Sequence, residues 1–146
     1  MQKNKLHHDL LSSWMDLCRK IIVTYHENYK DSHFPKNIME ILLYLESKEN
    51  VCEPAAIADA LYIPRQTMTS LIDSMVKKGL AIRSPHKTDR RRIEIVITEK
   101  GKSIAIDFRN RIIDKYQLSM KTVKQKDVLE KLTVALKLID EIQSIK

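Results

Sequence analysis

Glycine and proline are scarce in this chain, at two and four residues out of 146. Folds with many strands and tight turns draw on both, so the shortage points to long helices with few connections. Cysteine is equally thin. Cys18 and Cys52 are too few for a disulfide scaffold, and their spacing matches no metal-ligand pattern. No segment approaches the roughly 20 apolar residues needed to span a bilayer, and Met1 to Lys20 has no apolar core of signal-peptide length. A cytoplasmic protein is expected. The chain also lacks a glycine-rich phosphate loop, a nucleophile motif and a paired acid–base signature, so neither an enzyme nor a cofactor is expected. Its length leaves room for one or two small units with a modest core.

What is present is helical periodicity. Leu6, Leu10, Trp14, Leu17, Ile21 and Tyr25 recur at three- and four-residue steps, with Leu11, Met15, Cys18 and Ile22 beside them. This predicts a long helix over about 5–30 with a wide apolar stripe. Phe34-Pro35 breaks it, and Ile38, Ile41, Leu42 and Leu45 begin a second helix. Glu53 to Ala60 reads as a short helix rich in alanine. Pro64, at the first position of the next helix, leads into Met68, Leu71, Ile72, Met75 and Val76 on one side. That helix stops at Gly79, a natural left-handed C-cap.

Two strands follow. Ala81-Ile82-Arg83 is short, and Arg92 to Thr98 alternates Ile93, Ile95 and Ile97 with other residues, the period of a half-buried strand. They enclose a loop from Ser84 to Arg91, and Val51-Cys52 is a candidate for one more short strand. Thr98 suits an N-cap, opening a helix to about Met120 through Ala105, Phe108, Ile112 and Tyr116. A last helix starts near Gln125 and carries Leu129, Leu132, Leu136, Ile139 and Ile142.

Charge is unevenly placed. Residues 1–64 hold seven basic and nine acidic side chains, residues 103–146 hold nine and six, and residues 65–102 hold ten and four. The middle segment is where a polyanion-binding surface is expected. On its helix the exposed side holds Arg65, Gln66, Thr69, Ser70 and Asp73, with Thr67 near the edge. Arginine donates two bonds to guanine and glutamine pairs with adenine, whereas serine and threonine suit phosphates or either base. Arg83, Lys87, Arg90, Arg91 and Arg92 crowd into ten residues around a turn, as a minor-groove or phosphate contact requires.

Two short helices, a tight turn and a hairpin make a winged helix-turn-helix. Thr67-Met-Thr-Ser-Leu-Ile-Asp-Ser-Met-Val-Lys-Lys-Gly-Leu80, then Arg83, Asp89-Arg-Arg and Ile97-Thr-Glu-Lys-Gly101 resemble the MarR family of transcription regulators. The fold class is thus mainly α with a small antiparallel β-hairpin wing, a winged helix-turn-helix flanked by long dimerisation helices. Residues 36–102 form the DNA-binding domain, and 1–35 with 103–146 the helical dimerisation region. The resemblance implies a recognition helix using Arg65, Gln66, Thr67, Thr69, Ser70 and Ser74. It implies a wing in which Arg91 is inserted and Asp89 braces it, with Arg83, Lys87, Arg90 and Arg92 on phosphates. Ser70 and Ser74 replace arginines frequent in the family, and Arg92 replaces a small residue.

The expected partners are a pseudo-palindromic duplex operator and a second copy of the chain, giving a dimeric repressor released by a small-molecule or other signal. An effector pocket would be lined by Trp14, Cys18, Tyr25, Met39 and Tyr44. Cys18, in an apolar stripe, reads as packing rather than as a redox sensor. Metal binding is not expected of His7, His8, His26, Glu27 and His33: the first two are adjacent and cannot share a helix face. The competing function is a winged-helix protein-interaction module, against which the arginines of the wing argue.

Overall fold

The computed structural model describes residues 2–119 and 124–144. Six helices and three strands follow in the order α1 (Gln2–Glu27), α2 (Lys36–Ser47), β1 (Val51–Cys52), α3 (Pro54–Ala60), α4 (Arg65–Lys77), β2 (Ala81–Pro85), β3 (Ile93–Ile97), α5 (Glu99–Ser119) and α6 (Gln125–Ser144). By its contacts the chain forms two compact units, Met1–Phe108 and Arg109–Lys146.

In the first unit the core is built where the sequence has its densest apolar pattern. Ile41, Leu42 and Leu45 of α2, Ile57 of α3, Met75 of α4, Leu80 and Ile95 are fully buried, and no polar side chain is buried among the described residues. Burying each such side chain contributes roughly 1.5–3 kcal/mol. The sheet is antiparallel with order β1-β3-β2, so the Val51-Cys52 candidate is a real strand, paired to Val96 and Ile95. β2 runs two residues further than expected, because Ser84 and Pro85 keep register with Glu94 and Ile93. Ile95 and Ile97 are buried as the alternation requires, while Ile93, opposite Pro85 at the far end of the hairpin, is half exposed.

Several boundaries shift. α1 ends at Glu27 rather than near residue 30, where the chain tightens into i→i−3 bonds, Asn28 N–H to the Tyr25 carbonyl and Tyr29 N–H to that of His26. Pro64 is the N-cap of α4 and not its first residue: its ψ of 135° is extended, and its carbonyl accepts the Met68 N–H at 2.9 Å. The expected end of α5 at Met120 lies outside the described residues, as do the side chains of Leu6, His7, His8 and Leu10.

Helices α3 and α4 end in the same way. At α4 the Leu80 N–H reaches the Met75 carbonyl and the Gly79 N–H that of Val76, both at 2.9 Å, with Gly79 at φ +67°. At α3 the Ile63 N–H reaches the Ala58 carbonyl (2.9 Å) and the Tyr62 N–H that of Asp59 (3.4 Å), with Tyr62 at φ +53°. Both are Schellman closures, which need a left-handed residue. Glycine adopts that conformation freely, whereas in tyrosine it costs roughly 1–2 kcal/mol.

Beyond β3, Thr98 caps α5 as expected: its hydroxyl accepts the Gly101 N–H (3.1 Å) and donates to the Gly79 carbonyl (2.7 Å). The start of α5 is thereby tied to the end of α4. On α1, Leu11, Met15, Leu17, Ile21, Ile22 and Val23 stay roughly half exposed. In the second unit Leu129, Leu132, Val134, Leu136, Leu138 and Ile142 of α6 do the same. Among the described residues no helix is long and apolar enough to cross a membrane.

Two substitutions probe this packing. A Cβ on Gly101 would lie 2.2 Å from the Leu80 carbonyl oxygen and 2.9 Å from Ile97 Cγ1, so Gly101→Ala should destabilise the protein by about 1–3 kcal/mol in denaturant unfolding. Glu40 is largely shielded, and burial holds its carboxyl above the ordinary range. The Lys36 ammonium, 3.9 Å away, is too distant to offset that desolvation. The ionised carboxylate is therefore penalised in the folded state above its raised pKa, and the penalty vanishes below the unfolded value. Glu40→Gln should raise the melting temperature at neutral pH and leave it unchanged near about pH 4 or below.

Candidate nucleic-acid interface

The basic segment folds into two adjoining parts of the first unit. On α4, Met68, Ile72 and Met75 are buried and Leu71 and Val76 half-buried, so the helix turns Arg65, Gln66, Thr67, Thr69, Ser70 and Asp73 outward. Ser74 is half-buried rather than on the open face. Arg65 sits 3.6 Å from Asp59 across the turn between α3 and α4, with both side chains largely exposed. The Thr69 hydroxyl donates to the Arg65 carbonyl (3.3 Å) and the Ser70 hydroxyl to that of Thr67 (2.8 Å). In that arrangement both oxygens offer outward lone pairs, which suit base amino groups better than phosphates.

The hairpin sorts its cations into two kinds. Arg83, on β2, donates to Asp73 Oδ1 at 2.6 Å, and Arg92, at the foot of β3, is paired with Glu53 at the N-cap of α3. Both guanidiniums, expected to face phosphates, are engaged by carboxylates of the helix-turn-helix. Lys87, Arg90 and Arg91 at the tip are exposed and make no ion pair among the described residues. Asp89 shapes that tip through the backbone. Its carboxylate accepts the Arg91 N–H (3.0 Å), its carbonyl accepts the Arg92 N–H (2.9 Å), and the Arg92 carbonyl accepts the His86 N–H (3.0 Å). This is an Asx-type turn, in which the aspartate fixes the conformation of its neighbours.

Sequence reasoning missed what Glu53 and Asp73 do. Asp73 lies on the outward face of α4 as expected, and its pairing with Arg83 neutralises it locally. A pair ten residues apart, across a helix end and a strand, has no periodic signature, and one 39 residues apart has less.

A three-stranded antiparallel sheet, a tight helix pair and a hairpin tip with free arginines describe a winged helix-turn-helix, and comparison with known proteins agrees. The MarR family profile matches residues 39–92, which span α2 to the wing. The HTH-type transcriptional repressor YetL of Bacillus subtilis is 25% identical over 96 residues, covering 65% of this chain and 58% of that repressor's length. From α2 to the wing the chain is similar to the MarR family. Two solved structures share the fold. A MarR family protein from Bacillus stearothermophilus superposes with a TM-score of 0.74 at 16% identity, over 94% of this chain and 98% of that one. BpsR of Bordetella bronchiseptica, whose structure concerns regulation of DNA binding by 6-hydroxynicotinic acid, superposes with a TM-score of 0.68 at 15% identity, over 86% and 98%.

The five residues considered for a MarR-type effector pocket occupy different surroundings. Met39 is 1% exposed, within the core. Trp14 and Cys18 are half-buried on α1. Tyr25 packs edge-on against Tyr29 at 5.2 Å, and the Lys36 ammonium lies 4.4 Å from its ring centre. Tyr44 lies beside Cys52 of β1; its phenol is held above the ordinary value, first by burial and then by that thiol. Tyr29, which the sequence pattern did not single out, joins Tyr25 to Phe108 of α5 at 5.2 Å, and burial raises its pKa as well. Tyr29 and Phe108 extend the aromatic row that Tyr25 begins. Among the described residues no three histidine, cysteine, aspartate or glutamate side chains gather as a metal site would need.

The brace between Asp73 and Arg83 joins two partly exposed groups. A double-mutant cycle with Asp73→Asn and Arg83→Gln, read by denaturant unfolding, should give a coupling of no more than about 1 kcal/mol. Strict additivity would dissolve the brace.

Proposed function

We propose that this chain is a MarR-family regulator, a sequence-specific double-stranded DNA-binding dimeric repressor released by a small-molecule signal. One observation carries the reading: Lys87, Arg90 and Arg91 are free at the wing tip beside the open polar face of α4, while Arg83 and Arg92 are held by acids. Free cations at a hairpin tip attract phosphates and enter narrow minor grooves, and a polar helix face beside them suits the major groove. Arg65 and Gln66 are the residues for base recognition, and Arg91 is the inserted arginine, oriented by Asp89.

The half-exposed apolar stripes of α1 and α6 support the second copy. Residues 1–35 and 103–146 are the dimerisation region in this reading, and 36–102 the DNA-binding domain. A two-fold dimer presents two α4 helices to half-sites about one helical turn apart, so the operator is pseudo-palindromic. The naming of 6-hydroxynicotinic acid as a regulator of DNA binding in BpsR supports a small aromatic acid as the class of signal. The aromatic surroundings of Tyr25 and Tyr44 are the place to look for its site. A repressor of this kind works in the cytoplasm.

Gel-shift titrations over a range of salt concentrations test the reading. Arg91→Ala should weaken duplex binding about tenfold and lower the slope of log affinity against log salt by about one per site. Sedimentation should still give a dimer. Arg92→Ala, which removes a guanidinium already neutralised by Glu53, should leave the slope nearly unchanged. Duplex binding that is indifferent both to salt and to Arg91→Ala would leave the winged fold serving a protein partner instead.

A further inference from the structure

Tyr62 occupies the turn of the helix-turn-helix, three residues before Arg65 opens α4. Its side chain is 86% exposed, well beyond Leu129 at 67%, the next most exposed of the large apolar residues. The ring gains little from packing, and the phenol hydroxyl has no hydrogen-bond partner among the described residues. The backbone beneath it is strained: Tyr62 holds φ +53° to close α3, the task that Gly79 performs at φ +67° for α4. Glu49 and Asn50 also have positive φ, but neither puts an aromatic ring into solvent. A bulky aromatic therefore stands where the backbone favours glycine and where the folded chain leaves it almost wholly exposed. Strain of this kind gathers at functional positions.

We propose that Tyr62 contacts the DNA backbone, its hydroxyl donating to a phosphate at the edge of the major groove that α4 enters. The inference rests on the DNA-binding reading above and adds a residue to it. When α4 points its N-terminus into the groove and α3 crosses the backbone, the turn joining them lies over the sugar–phosphate chain. Tyrosine hydroxyls are among the side-chain donors that position proteins on phosphates. Arg65 marks the same end of α4, so the phenol extends the contact line from the base edges outward to the strand. Such a contact carries no sequence information. It sets how the recognition helix is seated and leaves the preference to Arg65 and Gln66.

The test sets stability against binding, using Tyr62→Gly and Tyr62→Phe in the full chain at matched protomer concentration. The probe is a mixed-sequence duplex long enough for two half-sites, titrated by fluorescence anisotropy. Tyr62→Gly should raise the melting temperature by about 2–4 °C as the left-handed strain is relieved. The same variant should bind the duplex about tenfold more weakly. Tyr62→Phe keeps the ring and the strain, so it should melt like the wild type and still show most of the binding loss. Undiminished binding by Tyr62→Gly overturns the proposal, and wild-type affinity in Tyr62→Phe overturns the hydroxyl–phosphate contact. If the wild type itself shows no salt-dependent duplex binding, the DNA reading falls and this inference with it. If it binds and both variants bind equally well, only the Tyr62 assignment fails.

Discussion

The carbonyl of Leu80 sets the geometry on which the wing depends. It accepts the Thr98 N–H at 3.1 Å, while the N–H of the same residue closes α4 on the Met75 carbonyl. One residue thus joins the end of α4, the root of β2 and the exit from β3. Thr98 adds a second tie to Gly79, and α5 starts so close by that residue 101 has no room for a side chain. Leu80 itself is fully buried, as are Ala81 beside it and Met75 one turn back. Because these contacts fix where both strands leave the helices, the hairpin cannot swing without breaking apolar packing and backbone bonds together.

On that rigid root the ion pairs act as struts. Arg83 reaches back to α4 and Arg92 reaches across to α3, so the two edges of the wing are held to the two helices of the helix-turn-helix. Each pair is partly exposed and individually worth little. Their consequence is geometric: they consume two of the five cations of the wing and leave the net positive charge at the tip. Net charge alone would have spread the expected contact over the whole hairpin.

How much of this was legible follows from range. Helix periodicity, the alternation of Ile93, Ile95 and Ile97, the cap at Thr98 and the left-handed Gly79 are local signals, and the structure reproduces them to within a few residues. The motif resemblance pointed to the same family whose profile matches residues 39–92. What stayed illegible was long-range or anomalous. Nothing in the sequence says that Arg92 meets Glu53, or that Arg83 neutralises Asp73 on the outward face of α4. Ser84 and Pro85 read as loop because their strand character depends on the partner strand. Tyr62 carries no local signal of its own, since only backbone angles show that it takes the place of a glycine.

The flanking helices raise a constraint of a different kind. Among the described residues, α1 of the first unit and α6 of the second leave leucine, isoleucine, valine and methionine side chains about half in water. Area removed from water is worth about 25 cal/mol per Å², so covering such stripes supplies a driving force that the winged core does not. In the proposed dimer a second copy covers them, carrying the same stripes at equal concentration. Pairing then joins stability to association, because a protomer that finds cover only in its twin is stabilised by mass action. It also couples the two wings. In that proposed dimer a duplex with fixed half-site spacing responds to the separation of two α4 helices more steeply than to either helix alone.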